Sequence, residues 1–308
     1  MAGLLFPAFY FYNTPYIADY LLVLLCSLPA FVGGLVEDFT KKAGVKTRLV
    51  LTMLSGGMGV FLPGASINRI DIPFIDNYLL SLFPISLAFT MFAVGGVANS
   101  INIIDGFNGI AGGVSLIILL ALGYVSFLVE DPFLMILSFI VCFSILGFLL
   151  WNYPAGKIFL GDGGVYLLGF LIAEISVLLV NRNQEVSPWF PMLLVTYPVT
   201  ETLFSIYRRK YLRGISPGVP DGVHLHTLIY KRLVRWGIDS EDARYKTIRN
   251  SLTAPYLWGL TLLTALPAIA FWRNTLILIA FLVAFVLLYI WLYWKIVRFK
   301  PPRCLIIK

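Results

Sequence analysis

The sequence predicts an all-α membrane protein, a polytopic helical bundle that crosses a bilayer about nine or ten times. Three observations carry this prediction. Of 308 residues, 59% are hydrophobic and only 13% charged, about half the charged share of an ordinary soluble domain. Apolar runs close to the ~20 residues that span a hydrocarbon core recur along the whole chain. The basic residues, finally, are sorted into alternate breaks between those runs.

The runs fall at 17–36, 49–62, 78–97, 110–128, 132–150, 165–180, 189–207, 253–272 and 275–294. The second is short and glycine-rich. An apolar stretch at 3–12 precedes them with about half the needed length and reads as the remnant of a further span. Tyr12, Trp189, Trp258, Trp272, Trp291 and Trp294 lie near run ends, where an interfacial aromatic belt belongs. Cys26, Cys142 and Cys304 have neither disulfide nor metal-type spacing. The N-terminus lacks the basic start of a cleavable signal. We read 1–308 as a single transmembrane domain with one long basic loop at 208–252.

The formal charge is +7. Here its partner is the bilayer and not nucleic acid, because the cations are sorted by side. Breaks 37–48, 98–109, 151–164 and 208–252 and the tail from 295 hold 20 of the 23 Lys and Arg residues. The alternate breaks hold only Arg69, Arg182 and Arg273. By the positive-inside rule the first set and the C-terminus face the cytoplasm. Every unusual polar stretch lies in that set, so the expected site is at one face.

Four stretches carry chemistry. Glu37 and Asp38 end a run just before Lys41, Lys42, Lys46 and Arg48. A carboxylate pair at a membrane boundary is costly and can hold a divalent cation or act as a base, whereas the cations also suit a solvated anchor loop. Asn102, Asp105 and Asn108 recur at i, i+3, i+6, which would place them near one face of a helix; the plainer reading is a cap for the next span. Gly106 lets backbone approach a ligand. Asp162 stands between Gly161 and Gly163 at the mouth of a run, suited to a hard cation or to a helix cap. His224 and His226, the chain's two histidines, lie among arginines and lysines in a loop suited to phosphate or proton transfer. Acids that assemble a cation and cations that grip phosphate are the parts of a phosphoryl-transfer site. Composition and topology alone reach a membrane enzyme acting on phosphates, with a transporter or an inactive scaffold as rivals.

At these residues the chain resembles the polyprenyl-phosphate N-acetylhexosamine-1-phosphate transferases. The resemblance rests on "GLVEDFTKKAGVKTRL", "NSINIIDGFNGIAGG", "NYPAGKIFLGDGGVYLLG" and "PVTETLFSIYRRKYLRGISPGVPDGVHLHTLIYKR", four motifs in the family's order between about Gly33 and Arg232. It implies transfer of a sugar 1-phosphate from a UDP-N-acetylamino sugar to undecaprenyl phosphate, with release of UMP. It further implies Mg²⁺, or Mn²⁺ in its place, and a multi-pass protein of the bacterial inner membrane, with a homodimer as a candidate assembly. The pathway expected is O-antigen or capsule initiation. Lipid I synthesis ranks lower, because that branch has three consecutive histidines where this chain has His-Leu-His.

By the same resemblance, Asp38, Asp105 and Asp162 are the catalytic candidates, with Asp162 and Asn102 as metal ligands. Asp38 would handle the lipid phosphate or its proton, beside Glu37 and Arg48. Asn108 and Phe159 would hold the uracil, with Gly106 and Asn152 lining the nucleotide site. His224 and His226 would contact the diphosphate. The chain departs from the family at Glu37, where Asp is usual, and after Asp162, where many members have Thr or Ser before Gly. The family's first span and the loop after it have no counterpart, so that helix is expected to be missing.

Overall fold

The computed structural model describes residues 14–212, 214, 222–234 and 243–299. The readings placed on 3–12, Tyr12, Arg213, Cys304 and the tail beyond 299 lie outside the described residues. Each of the nine predicted runs is helical. The helices are α1 (Ile17–Thr40), α2 (Val45–Phe61), α3 (Phe83–Ile104), α4 (Ile110–Leu128), α5 (Pro132–Asn152), α6 (Gly161–Arg182), α7 (Trp189–Leu194), α8 (Thr196–Tyr207), α9 (Leu225–Ile229), α10 (Ala243–Leu252), α11 (Ala254–Ala270) and α12 (Thr275–Val297). Seven are long and apolar enough to cross a membrane: α1, α3, α4, α5, α6, the α10–α11 rod from Lys246, and α12. The chain is therefore a multi-pass membrane protein. At 17 residues, α2 is about 26 Å long, close to the hydrocarbon thickness.

Two runs differ from expectation. The third was placed at 78–97, but α3 begins at Phe83 and ends at Ile104. Pro84 fixes its start, since a ring without an N–H is tolerated in a helix's first turn. Residues 73–80 form separate short helical turns before it. Asn99 and Asn102 therefore ride inside the helix, and the polar break starts only at Asp105. The run at 189–207 is broken at Val195. Pro198 lies three residues on, where its missing N–H and its ring disrupt the ladder around Leu194.

α6 is the axis of the bundle, buried almost all round, with α1, α3 and α4 packed on it. Small residues permit these crossings. A Cβ on Gly34 of α1 would collide with the backbone of Asp162 and Gly163. A Cβ on Gly169 of α6 would come within 2.5 Å of the Ala98 backbone on α3. The bundle thus has two distinct ends. At one, the breaks after α1, α3, α5 and α8 meet. At the other, Arg69 donates to the Val186 carbonyl at 2.7 Å and pairs with Asp71 at 2.9 Å, while Asp71 accepts from Thr275 at 2.6 Å.

Candidate active site

The site is built on the N-terminus of α6. The first amides of any helix lack intrahelical acceptors and attract negative charge. Here Asp38, at the end of α1, supplies that charge from another helix. Its Oδ1 accepts from the Asp162 amide at 2.9 Å and its Oδ2 from the Gly163 amide at 3.0 Å. Gly161 makes this possible. Its φ is +65°, and a Cβ there would come within 2.6 Å of Asp38 Oδ2. The clamp aims the Asp162 carboxylate at Arg48 in the first turn of α2, with which it pairs through Oδ2. The Arg48 guanidinium lies 5.6 Å from the centre of the Tyr166 ring. The Tyr166 hydroxyl donates to Asn99 at 3.3 Å and lies against Asn102, which brings the last turns of α3 into the cluster. Glu37 faces the same group, and its Oε2 is buried without a hydrogen-bond partner. Glu37, Asp38, Arg48, Asn102 and Asp162 are thus brought together.

A second cluster lies beside Gly106. Asp105 caps the C-terminus of α3. The residue is exposed at the surface, yet the protein crowded round its carboxyl desolvates it and pushes it up to about 6. A Cβ on Gly106 would meet His226 Nε2 at 2.6 Å. Phe107 stacks on Tyr230 at 4.9 Å and meets the His226 ring edge-on at 5.6 Å. Burial pushes the His226 imidazole down to about 4, so it is neutral at pH 7. The His224 ring stacks parallel to it at 5.3 Å. Asn102, Asp105 and Asn108 do not share a helix face, because α3 ends between the first two.

Asn108 and Asn152 brace the loops. Asn152 accepts from the Gly109 amide at 2.7 Å and donates to the Ile158 carbonyl at 2.8 Å. Asn108 donates to the Pro154 carbonyl at 3.2 Å, and its own amide donates to Asn250 at 2.7 Å. The loop from Tyr153 to Leu160 lies over them. It carries Phe159, which is 75% exposed.

Three contributors were not anticipated from sequence. Asn250 opens no motif and lies in a polar helix. Tyr166 is one apolar-looking residue in a span. Glu201 was legible in principle, since a carboxylate within an apolar run is expensive unless it has partners. Its partners are three donors: His224 Nδ1 at 2.9 Å, the Leu225 amide at 3.2 Å and the Tyr289 hydroxyl at 2.7 Å.

The sequence that builds this bundle has known relatives. Residues 20–180, just over half of the chain, match the profile of Glycosyl transferase family 4, and the chain belongs to that family. Among curated relatives, it is 27% identical over 275 residues to a probable undecaprenyl-phosphate N-acetylglucosaminyl 1-phosphate transferase of Bacillus subtilis (strain 168), covering 87% of this chain and 72% of the relative. It is 28% identical over 293 residues to an undecaprenyl-phosphate alpha-N-acetylglucosaminyl 1-phosphate transferase of Escherichia coli O157:H7, covering 92% of this chain and 76% of the relative. A Thermotoga maritima protein of the same description is 28% identical over 212 residues, 69% of this chain and 62% of the relative.

Proposed function

We propose that this protein transfers N-acetylglucosamine 1-phosphate from its UDP-sugar to undecaprenyl phosphate, releasing UMP, at the cytoplasmic face of a bacterial inner membrane. The product would start a cell-surface polysaccharide on its lipid carrier. The observation that carries this reading is the clamped α6 terminus, where Asp38 orients Asp162 toward Arg48 beside Asn102. The names of the relatives support the choice of substrates.

The donor set suits a hard cation. It offers oxygen ligands alone, Asp162 and Asn102, with the unpartnered Glu37 oxygen beside them. Among the described residues no three Asp, Glu, His or Cys side chains form a protein-only cage. Mg²⁺ ordinarily takes one or two carboxylates and completes its shell with phosphate and water. Asp162 and Asn102 would hold Mg²⁺, or Mn²⁺, which when bound offsets diphosphate charge at the transition state.

The chain's own residues divide the remaining work. A lipid phosphate oxygen attacks the sugar-linked phosphorus, and the bond to the bridging oxygen breaks, so UMP departs with the electron pair. Asp38 already holds two backbone amides, so its part is to fix Asp162. Glu37, with a free oxygen, is the better group to take the lipid phosphate's proton. Arg48 and the histidine loop face the diphosphate, and the Phe159 loop covers the base. In detergent with undecaprenyl phosphate, Mg²⁺ and UDP-N-acetylglucosamine, the protein should release one UMP per lipid-linked sugar. Asp162→Asn should lower that rate by about 100-fold or more, the scale of a lost charge stabiliser. An unchanged rate would overturn the site assignment. A panel of other UDP-N-acetylamino sugars tests the choice of sugar.

A further inference from the structure

Glu201 is fully buried in α8 and is not one of the acids gathered at the N-terminus of α6. Each of its oxygens is fixed by donors from different parts of the chain. Oε1 takes His224 Nδ1 and the Leu225 amide, and Oε2 takes the Tyr289 hydroxyl of α12. The other His224 nitrogen, Nε2, lies 3.1 Å from Arg209 Nη2. Arginine only donates, so Nε2 must accept and the ring proton must be on Nδ1, facing Glu201. The loop behind His224 is tied to the same place, since Arg208 and Tyr293 both bond the Val223 carbonyl, at 2.9 and 3.0 Å. The carboxylate therefore fixes three things: the tautomer of His224, the rotation of its ring, and the start of α9.

We propose that Glu201 is the positioning residue for the His224–Arg209 pair, holding His224 as its Nδ1–H tautomer so that Nε2 accepts from Arg209 and fixes that guanidinium to present its remaining N–H donors to the diphosphate. The inference rests on the transferase reading for its kinetic consequence but not for its structural one. Glutamine in place of Glu201 offers one acceptor where three donors converge, and its amide would oppose a donor. It is nearly isosteric, so packing is kept while the hydrogen-bond pattern is not.

The chain has only two histidines, so ¹⁵N spectra of histidine-labelled protein in lipid resolve each ring, with His226→Gln assigning the pair. The expected result is an Nδ1–H signature for His224 in the wild type and its loss in Glu201→Gln. In kinetics, Glu201→Gln should lower kcat for UMP release by about 10- to 100-fold, the scale seen when a partner that orients a histidine is removed, with KM for the UDP-sugar changed much less. In a His224→Ala background the same substitution should change kcat less than about twofold, because coupled residues are not additive. Equal losses in both backgrounds, or an Nε2–H signature in the wild type, would overturn the proposal. If Glu201→Gln does not survive solubilisation, Glu201→Asp, one methylene short of His224, serves in both measurements with the same expected outcomes. Absence of UMP release by the wild type would fail the transferase reading and leave the tautomer measurement to decide this one.

Discussion

Asp105 is an acid whose surroundings oppose its charge. Desolvation at the end of α3 holds its carboxyl at about 6, above the ordinary 3.8. A carboxyl raised on folding favours the folded state while both states are protonated, and that advantage is lost as pH rises through the folded value. Replacing the acid with an amide should therefore raise Tm at pH 8 and leave it unchanged at pH 3.5. If Asp105 acts as a carboxylate, wild-type UMP release should also fall as pH drops through about 6. Thermal melts of Asp105→Asn in detergent at the two pH values check the first point, and equal shifts at both would refute it. The residue types at the site were legible because acids, amides and histidines are rare in so apolar a chain. Their partners were not. Nothing in the spacing of Asp38 and Asp162 says that one carboxylate caps the helix bearing the other. That follows only from a crossing of α1 and α6 at Gly34 and Gly163.

At the scale of helices, the same crossing makes a sharper test. Glycine to alanine inside a helix ordinarily stabilises by about 0.5–1 kcal/mol. Gly147 of α5 is exposed, with nothing near the place of a Cβ, so Gly147→Ala should follow that rule. At Gly34 a Cβ meets the Asp162 and Gly163 backbone, and overpacking costs about 1–3 kcal/mol. The sign should reverse, with a lower Tm for Gly34→Ala. UMP release should fall with it, because the displaced segment carries Asp162. Two melts that shift alike would show that the crossing is looser than its geometry. The existence of the helices was legible because a bilayer demands apolar length, and a composition satisfies or fails that demand directly. Their ends were less so. Asn99 and Asn102 interrupt a hydropathy run but not a helix, since their backbone still bonds within α3 while their side chains face the site. The kink at Val195 arises from one proline and leaves mean hydropathy almost unchanged.

Over the whole molecule, the two ends differ in kind. The end bearing Asp38, Asp105, Asp162 and His226 gathers helix termini and polar side chains. The opposite end is cross-tied, with Arg69 bonded to Val186, Asp71 to Thr275, and Asn181 to the Gly64 carbonyl at 2.7 Å, and the cavity beside Arg69 is lined almost wholly by apolar side chains such as Phe89, Val94 and Trp189. A solute carrier needs polar access from both ends and mobile halves. These ties join the breaks of three helix pairs and favour a one-sided site, as expected of an enzyme whose lipid product remains in the membrane. The charge asymmetry predicts that the site faces the cytoplasm, because 20 of 23 cations lie in the breaks at its end and in the tail, and translocation disfavours basic loops. With Cys26, Cys142 and Cys304 changed to serine, Lys157→Cys marks the site end and Arg273→Cys the opposite one; both positions are exposed. A membrane-impermeant maleimide added to intact spheroplasts should label Arg273→Cys and spare Lys157→Cys until the cells are opened. The reverse pattern would put the acidic cluster outside, away from the nucleotide sugars of the cytoplasm, and the charge asymmetry would then need another cause. The expected pattern would tie orientation to chemistry, because the cations counted in that asymmetry include Arg48, paired with Asp162, and Arg209, against His224.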